Sequence, residues 1–180
     1  MRIKILKEDA LIDEVILICF FSFLMALSSQ IKIYLFFTPV PVTFQTLILF
    51  LSILYLRKKA FFSQLFWVLL GIIGVPVFAW GGGIPYLFGP TGGYILGFIS
   101  GSLIFSSFSD YFLEKRNPFF PFLFYSSLNL WIYLLGVMWL KVVLSLSFIQ
   151  SIFLGVLPFI PGDIFKIILA VIFSYFPRRR

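Results

Sequence analysis

The sequence has 180 residues, of which 61% are hydrophobic and only 12% are charged. A soluble domain is about half apolar and about a quarter charged, so no soluble core of this size could bury that much apolar surface. The apolar runs 15–27, 42–56 and 119–140 are close to the length, about 20 helical residues, that crosses a hydrocarbon core. The composition therefore predicts an all-α integral membrane protein with the lipid bilayer as its main solvent.

The charge pattern and the rare residue types exclude several function classes. The net charge of +7 lies in short clusters between apolar runs, which leaves no basic face for phosphates and predicts no nucleic-acid partner. The sequence contains no histidine, so a metalloprotease or a Ser-His hydrolase is disfavoured. Its single cysteine, Cys19, excludes an intrachain disulfide and a thiolate metal site. We therefore predict no catalytic residue, no metal site and no cofactor.

Breaks in apolarity and Gly/Pro punctuation divide the chain into six predicted transmembrane helices, within one domain that covers residues 1–180. The predicted helices cover residues 15–31, 42–56, 61–77, 92–109, 119–140 and 162–176. The first helix is preceded by Glu8, Asp9, Asp13 and Glu14, whereas a cleaved signal peptide begins with a positive region. We therefore interpret it as a helix of the protein itself.

Positive residues predict the orientation, because Lys and Arg near helix ends are retained in the cytoplasm. With six helices, eleven Lys and Arg fall on one side, and only Lys32 and Lys141 fall on the other. The eleven are Arg2, Lys4, Lys7, Arg57, Lys58, Lys59, Lys115, Arg116, Arg178, Arg179 and Arg180. This asymmetry arises only if the chain crosses the membrane an even number of times between successive basic clusters. It predicts a multi-pass protein of the cell (cytoplasmic) membrane with both termini in the cytoplasm.

The predicted outer connections hold most of the Pro and Gly, whereas the inner turns are short and charged. These connections are residues 38–43, 77–92 and 145–162. Irregular backbone near membrane depth needs hydrogen-bond partners in protein or in a wet cavity, so the three segments predict an outward-facing pocket. Ordinary connecting loops are the alternative. The apolar segment 148–159 is short, and both an interfacial and a re-entrant helix fit it.

Asp163 is the one acidic residue inside a predicted transmembrane helix, and Lys166 follows it on the same helix face. An ionisable group in a membrane segment is costly unless it is paired or hydrated, so it marks a functional site by default. Two compatible interpretations remain open. In one, Asp163 stabilises the N-terminus of a helix that Pro161 and Gly162 begin, and Lys166 neutralises it. In the other, the pair binds a small polar solute that enters from outside.

The segment 80–94 is too rich in glycine for a buried helix, and its aromatic side chains suit the wall of a pocket. Its candidate substrate-binding residues are Trp80, Tyr86, Thr91 and Tyr94. The segment is not a phosphate loop, because no Gly-Lys-Ser/Thr follows. Any ATP-driven step therefore requires a partner protein.

Amide and small side chains in the apolar helices are further candidates. Gln45 and Asn129 either line the pocket or hydrogen-bond between helices. Glycine recurs at every fourth residue from 93 to 101, which favours close packing within the protein. Ser22 and Ala26 have the same spacing, and they too allow close approach of another helix.

Four motifs follow one another along the chain. They are Pro-Val-Pro-Val-Thr-Phe-Gln-Thr at 39–46, Gly-Val-Pro-Val-Phe-Ala at 74–79, Phe-Gly-Pro-Thr-Gly-Gly-Tyr at 88–94 and Pro-Phe-Ile-Pro-Gly-Asp-Ile-Phe-Lys at 158–166. Together they resemble the BioY family, the biotin-binding subunits, or S components, of energy-coupling factor (ECF) transporters. The resemblance covers nearly the whole chain, and four concurrent motifs make it specific.

The resemblance implies a six-helix S-component bundle with biotin bound in an outward-facing pocket, beneath the connection between the third and fourth helices. Asp163 and Lys166 match the family's Asp-x-x-Lys and inherit its biotin-binding role. Ser22 and Ala26 occupy the position of the motif through which S components dock on the transmembrane coupling subunit, although serine here replaces the usual alanine. The implied partners are that subunit and ABC-type ATPase subunits, and the implied function is biotin uptake.

Two alternatives to this function are kept. One is an S component for a different vitamin, because the architecture is shared while the pockets diverge. The other is a membrane enzyme that uses Asp163 and Lys166 as an acid-base pair, which the absence of histidine disfavours.

Overall fold

The computed structural model describes residues 2–176, with side chains from residue 11 onward. The helices of the described residues are α1 (Arg2–Gln30), α2 (Gln45–Leu56), α3 (Ala60–Ile72), α4 (Ile84–Leu87), α5 (Gly92–Ser106), α6 (Ser109–Leu113), α7 (Phe119–Val143), α8 (Phe148–Gly155) and α9 (Ile160–Ser174). A 3₁₀ turn, Arg57–Lys59, joins α2 to α3. The strands β1 (Lys32–Ile33) and β2 (Val42–Thr43) form an antiparallel hairpin in which Lys32 lies opposite Thr43.

One end of the bundle, which we call the basic end, consists of Glu14 and the segments 57–59, 110–117 and 174–176. Arg57 Nε lies 3.3 Å from Asp110 Oδ1, and Arg57 Nη2 lies 3.7 Å from Glu114 Oε1. The Tyr175 hydroxyl donates a hydrogen bond to the Arg116 carbonyl oxygen at 2.9 Å. These contacts bring the turn between α2 and α3, the segment before α7 and the end of α9 together.

The opposite end, which we call the loop end, consists of the hairpin 32–43 and the segments 73–91 and 144–159. The Thr38 hydroxyl donates to the Leu154 carbonyl oxygen at 2.7 Å, which joins the hairpin to α8.

The first helix runs from the basic end to the loop end, because Lys59 pairs with Glu14 of α1 at the basic end. The helices α1, α2, α3, α5, α7 and α9 therefore alternate in direction between the two ends.

Two stretches of the described chain have by themselves the length and hydropathy that cross a bilayer, namely 11–30 with a mean hydropathy of 2.2 and 119–143 with 1.5. The helices α8 and α9 meet these length and hydropathy criteria only when they are taken together as one broken span, which is bent by 55°. The helices α2, α3 and α5 are shorter than about 20 residues. The number of crossings and the side of the termini stay predictions, and the basic clusters at 2–7 and 178–180 lie outside the described side chains.

Two predicted helix boundaries were wrong for identifiable reasons. The helix α1 begins at Arg2 and not at residue 15, because Lys and Glu are good helix formers that apolarity does not detect. The helix α3 ends at Ile72 and not at residue 77, because Gly74 adopts a φ of +98° and Pro76 follows it. The boundaries of α2, α5, α7 and α9 differ from prediction by at most three residues.

The segment 148–159 contains α8, which is eight residues long and too short to cross a bilayer. It begins with a capping box, in which the Ser147 hydroxyl accepts from the Gln150 amide at 3.2 Å and Gln150 Oε1 accepts from the Ser147 amide at 2.9 Å. The chain then bends into α9, which carries Pro161 in its first turn, where proline is tolerated. This bend places Asp163 at the loop end.

The helices α5 and α7 approach each other closely, and glycines on α5 make this possible. A Cβ at Gly93 would overlap Trp139, and one at Gly97 would lie 3.0 Å from the Ile132 Cα. The predicted glycine face therefore packs within the protein. This close approach also brings Tyr94 of α5 over Gly136 of α7.

Replacing Gly93 by Ala should lower the stability of the purified protein, because the new Cβ would lie 2.5 Å from the Leu135 carbonyl oxygen. Overpacking of this kind costs about 1–3 kcal/mol. Thermal unfolding in detergent measures the effect, with Leu103→Ala on the exposed side of the same helix as control. Equal melting temperatures for the two variants would contradict the packing argument.

Candidate ligand-binding site

A cavity that is partly open to the outside, with ≈ 590 Å³ of empty space, lies at the loop end. It is lined by the hairpin, the segment after α3 and the helices α2, α3, α4, α5, α7 and α9. Its polar lining residues are Thr43, Gln45, Thr46, Tyr86, Thr91, Tyr94, Tyr133, Asp163 and Lys166. The remaining lining residues are apolar, so the polar groups stand out against a mainly aromatic and aliphatic wall.

A buried ion pair lies at the cavity. Asp163 is 4% exposed and Lys166 is 5% exposed, and Lys166 Nζ lies 2.6 Å from Asp163 Oδ1. The two residues are three apart on α9, so their side chains leave the helix on the same face. Lys166 Nζ also donates to the Thr46 hydroxyl on α2 at 2.9 Å. The predicted pairing of these two residues is therefore present.

Asp163 accepts hydrogen bonds from three further side chains. Its Oδ2 accepts from the Tyr133 hydroxyl at 2.6 Å and from Asn129 Nδ2 at 3.4 Å. Its Oδ1 accepts from the Thr46 hydroxyl at 3.3 Å, in addition to Lys166. A carboxylate offers about four acceptor positions, so the protein itself fills the capacity of Asp163. The four donors keep the buried carboxylate satisfied and connect α2, α7 and α9.

Aromatic rings form the wall opposite the ion pair. The Phe78 ring lies 4.8 Å from that of Tyr86 with an interplanar angle of 18°, and 5.2 Å from that of Trp67 at 90°. Trp67 Nε1 donates to the Val77 carbonyl oxygen at 3.0 Å, which holds the segment after α3 over the cavity. Burial raises the pKa of the Tyr86 phenol above its ordinary value, so its hydroxyl stays protonated at neutral pH.

The ring of Tyr94 lines the cavity, and its hydroxyl is hydrogen-bonded to the protein backbone. The hydroxyl donates to the Gly155 carbonyl oxygen at 2.7 Å, at the bend between α8 and α9. The ring packs 6.2 Å from that of Phe159 in an edge-on orientation. Tyr94 therefore offers an apolar surface to a ligand.

Gln45 lines the cavity and has an unused donor. It is 7% exposed, and its Oε1 accepts from the Thr43 hydroxyl at 3.2 Å. Its Nε2 has no hydrogen-bond partner among the described residues. An unpaired buried donor is costly, so a ligand acceptor at this position would be favourable.

Most predicted site residues meet at this cavity, but two do not line it. Trp80 is 59% exposed, packs on the Tyr34 ring at 4.6 Å and lies 5.8 Å from Lys32 Nζ. It belongs to the outer surface of the loop end, because the turn at 78–81 directs its ring away from the cavity. Asn129 stands behind the lining and contacts Asp163. In the structure Asn129 therefore forms a hydrogen bond between α7 and α9.

Ser22, a predicted docking residue, does not lie on the outer surface of the bundle. It is 1% exposed, and its hydroxyl donates to the Ser63 carbonyl oxygen of α3 at 2.7 Å. Ala26 is half-buried on the same helix. The small face of α1 at Ser22 therefore packs against α3 within this chain, since a serine hydroxyl in an apolar bundle needs an acceptor.

Sequence reasoning missed Thr46 and Tyr133. Thr46 follows Gln45 directly, and Tyr133 lies four residues after Asn129 on the same face of α7. That spacing could have identified Tyr133 once Asn129 was chosen. Nothing in the sequence could show that Thr46 of α2 reaches Lys166, because the contact spans 120 residues.

The helical bundle and its long apolar helices define a membrane protein, and its cavity with buried polar groups is a candidate site for a small molecule. A family model described as the BioY family matches residues 2–179. The chain therefore belongs to the BioY family, and the resemblance inferred from the four motifs is confirmed.

Relatives and a solved structure agree with this membership. A probable biotin transporter BioY of Pyrococcus horikoshii is 38% identical over 165 residues, which cover 89% of this chain and 93% of that protein. Biotin transporter BioY2 of Lactococcus lactis subsp. cremoris is 37% identical over 137 residues, which cover 75% of this chain and 74% of that protein. The S-component for biotin from an ECF-type ABC transporter superposes with a TM-score of 0.85 at 23% identity, covering 92% of this chain and 90% of that one. This likeness shows the S-component fold.

Replacing Asp163 by Asn should destabilise the protein by about 3 kcal/mol, because it leaves the buried ammonium of Lys166 without a counter-charge. The double variant Asp163→Asn with Lys166→Met should recover part of this loss, since both charges are then gone. Thermal unfolding in detergent compares the two variants. A double variant less stable than the single one would show that the charge pairing is not the source of the effect.

Proposed function

We propose that this chain is the biotin-binding S component of an ECF transporter and that it serves biotin uptake as a transport subunit rather than as an enzyme. Its family membership and the names of its relatives support biotin as the substrate. The observation that carries the proposal is the buried pair of Asp163 and Lys166 in a cavity with a largely aromatic wall.

The cavity complements the chemistry of biotin. Biotin combines a polar ureido ring, a fused apolar thioether ring and a chain that ends in a carboxylate. The rings of Phe78, Tyr86 and Tyr94 suit the thioether ring. Gln45 Nε2 is an unused donor, and the Lys166 ammonium has a third proton beyond those given to Asp163 and Thr46. These donors suit the acceptor atoms at the polar ends of biotin.

The polar network predicts how Asp163 takes part in binding. Because four protein donors already occupy its carboxylate, a ureido N–H reaches it only by replacing one of them. We assign direct contact with biotin to Gln45, Tyr86, Thr91, Tyr94, Asp163 and Lys166. Asn129 positions Asp163, and Trp80 has no direct contact with the ligand.

We further propose that the helices α1, α2, α3, α5 and α7 and the broken α8–α9 pair cross the cell membrane six times within a single domain, with both termini in the cytoplasm. The alternating direction of these helices supports six crossings. The clustering of residues 57–59 with 110–117 supports a cytoplasmic basic end. The loop end, and with it the cavity, then faces outward.

Any ATP-driven step of uptake requires partners, because the sequence has no phosphate-binding loop. We propose an ECF transmembrane coupling subunit and ABC-type ATPase subunits in this role. Docking on the coupling subunit through α1 involves Ala26 rather than Ser22, since Ser22 is hydrogen-bonded to α3. Biotin is the transported ligand, and no cofactor is proposed.

Equilibrium binding of labelled biotin to the detergent-purified protein tests the function. We expect a dissociation constant below micromolar and no competition by thiamine, riboflavin or pantothenate. Lys166→Met should weaken binding roughly 10- to 150-fold, because it removes a charged hydrogen bond worth about 1.5–3 kcal/mol. Lys141→Met, an exposed lysine of α7, is the control. Affinity weaker than micromolar would contradict biotin as substrate, and displacement by another vitamin would identify a different one.

Replacing Gln45 by Met should weaken biotin binding about 3- to 10-fold, because it removes an Nε2 donor that has no partner in the described chain. Stability should fall only slightly, since the one bond lost is that from the part-buried Thr43 hydroxyl to Oε1. Gln64→Met makes the same change at a fully buried glutamine outside the cavity. It should lower stability and spare affinity, since Gln64 Nε2 donates to Ser52 at 3.3 Å. Binding assays and melting curves compare the two variants, and an unchanged affinity for Gln45→Met would remove Gln45 from the site.

A further inference from the structure

A groove of ≈ 620 Å³ lies between the start of α7 and the last turns of α9, next to the basic end. All of its lining residues are apolar, namely Pro118, Phe119, Phe122, Ile168, Val171 and Ile172. The side chain of Phe119 is 60% exposed and that of Ile172 is 50% exposed. The groove belongs to neither the cavity nor the polar network at the loop end, and it faces away from the bundle.

Two basic residues stand at one end of this groove. Lys115 and Arg116 lie one turn before Phe119 in the chain. The Lys115 ammonium lies over the Tyr111 ring at 4.9 Å, and the Arg116 carbonyl accepts from Tyr175, just after α9. The backbone of Arg116 is therefore attached to both helices that form the groove.

Both cations lack a carboxylate partner among residues 11–176. The nearby acidic residues, Asp110 and Glu114, pair instead with Arg57. Lys115 and Arg116 are exposed and come two to three residues before Pro118, the first lining residue, so positive charge lies next to the apolar groove along the chain.

We infer that this groove binds an anionic phospholipid, with one acyl chain along α7 and α9 and the phosphate at Lys115 and Arg116. The guanidinium group forms paired hydrogen bonds with phosphate oxygens, and basic residues at the membrane surface attract anionic lipid. The apolar groove favours a lipid over a soluble phosphate, because only a lipid has an acyl chain that packs against the groove lining. This inference is independent of biotin binding.

Native mass spectrometry of the full-length protein, released from detergent and titrated with dioleoylphosphatidylglycerol or dioleoylphosphatidylcholine, tests the site. We expect tighter retention of the phosphatidylglycerol. The double variant Lys115→Gln with Arg116→Gln should retain it about 30-fold less, at about fivefold for each charge. The double variant Lys58→Gln with Lys141→Gln removes two charges elsewhere and should retain it as the unaltered protein does. Equal losses in the two variants would overturn the local site.

A second variant, Ile168→Trp, fills the groove and leaves the cations in place. We expect it to lose phosphatidylglycerol while its melting temperature in detergent stays unchanged. Glycerol phosphate should not compete, because it lacks the acyl chain. Undiminished lipid retention by Ile168→Trp, or competition by glycerol phosphate, would refute the acyl-chain site. Loss of copurification with coupling and ATPase subunits, with lipid retention intact, would identify the groove as a protein interface instead.

Discussion

Removing a carboxylate and an ammonium from water costs several kcal/mol for each ion, and the paired charges of Asp163 and Lys166 offset that cost in this protein. The pairing alone is insufficient, because a buried carboxylate needs its remaining acceptor positions filled. Thr46 and Tyr133 supply donors from α2 and α7. The three helices are therefore held together at the loop end by one polar cluster, and the cavity forms beside it.

The cavity also depends on the absence of side chains at a few positions. A Cβ at Gly71 would overlap the Phe78 ring, and one at Gly136 would overlap Tyr94. The two aromatic residues occupy these spaces and become parts of the cavity wall. Apolar walls and a few fixed polar groups are what orient a small amphipathic ligand. Membership in the BioY family gives this arrangement a biological context.

The two ends of the bundle differ in chemistry, and their roles follow from that difference. The loop end combines irregular backbone with glycine and proline, which allows the chain to fold over a ligand. The basic end has short turns, and Arg57 unites two of them through Asp110 and Glu114. Exposed charged side chains at the basic end need no buried partner, because water and lipid headgroups can solvate them. The proposed ligand site and the proposed lipid site are thus separated along the bundle.

By itself the sequence determined that lipid is the main solvent of this protein, the approximate positions of its helices and the pairing of Asp163 with Lys166. These features are local, because hydropathy, Gly/Pro punctuation and an i, i+3 spacing are read within one segment. Tertiary structure alone decided that Thr46 and Tyr133 join the ion pair, that Trp80 leaves the cavity and that Ser22 packs on α3. These outcomes depend on which helix faces pack together. A transmembrane helix is apolar on its lipid-facing side as well as on its buried side, so hydrophobic periodicity does not identify the face that packs.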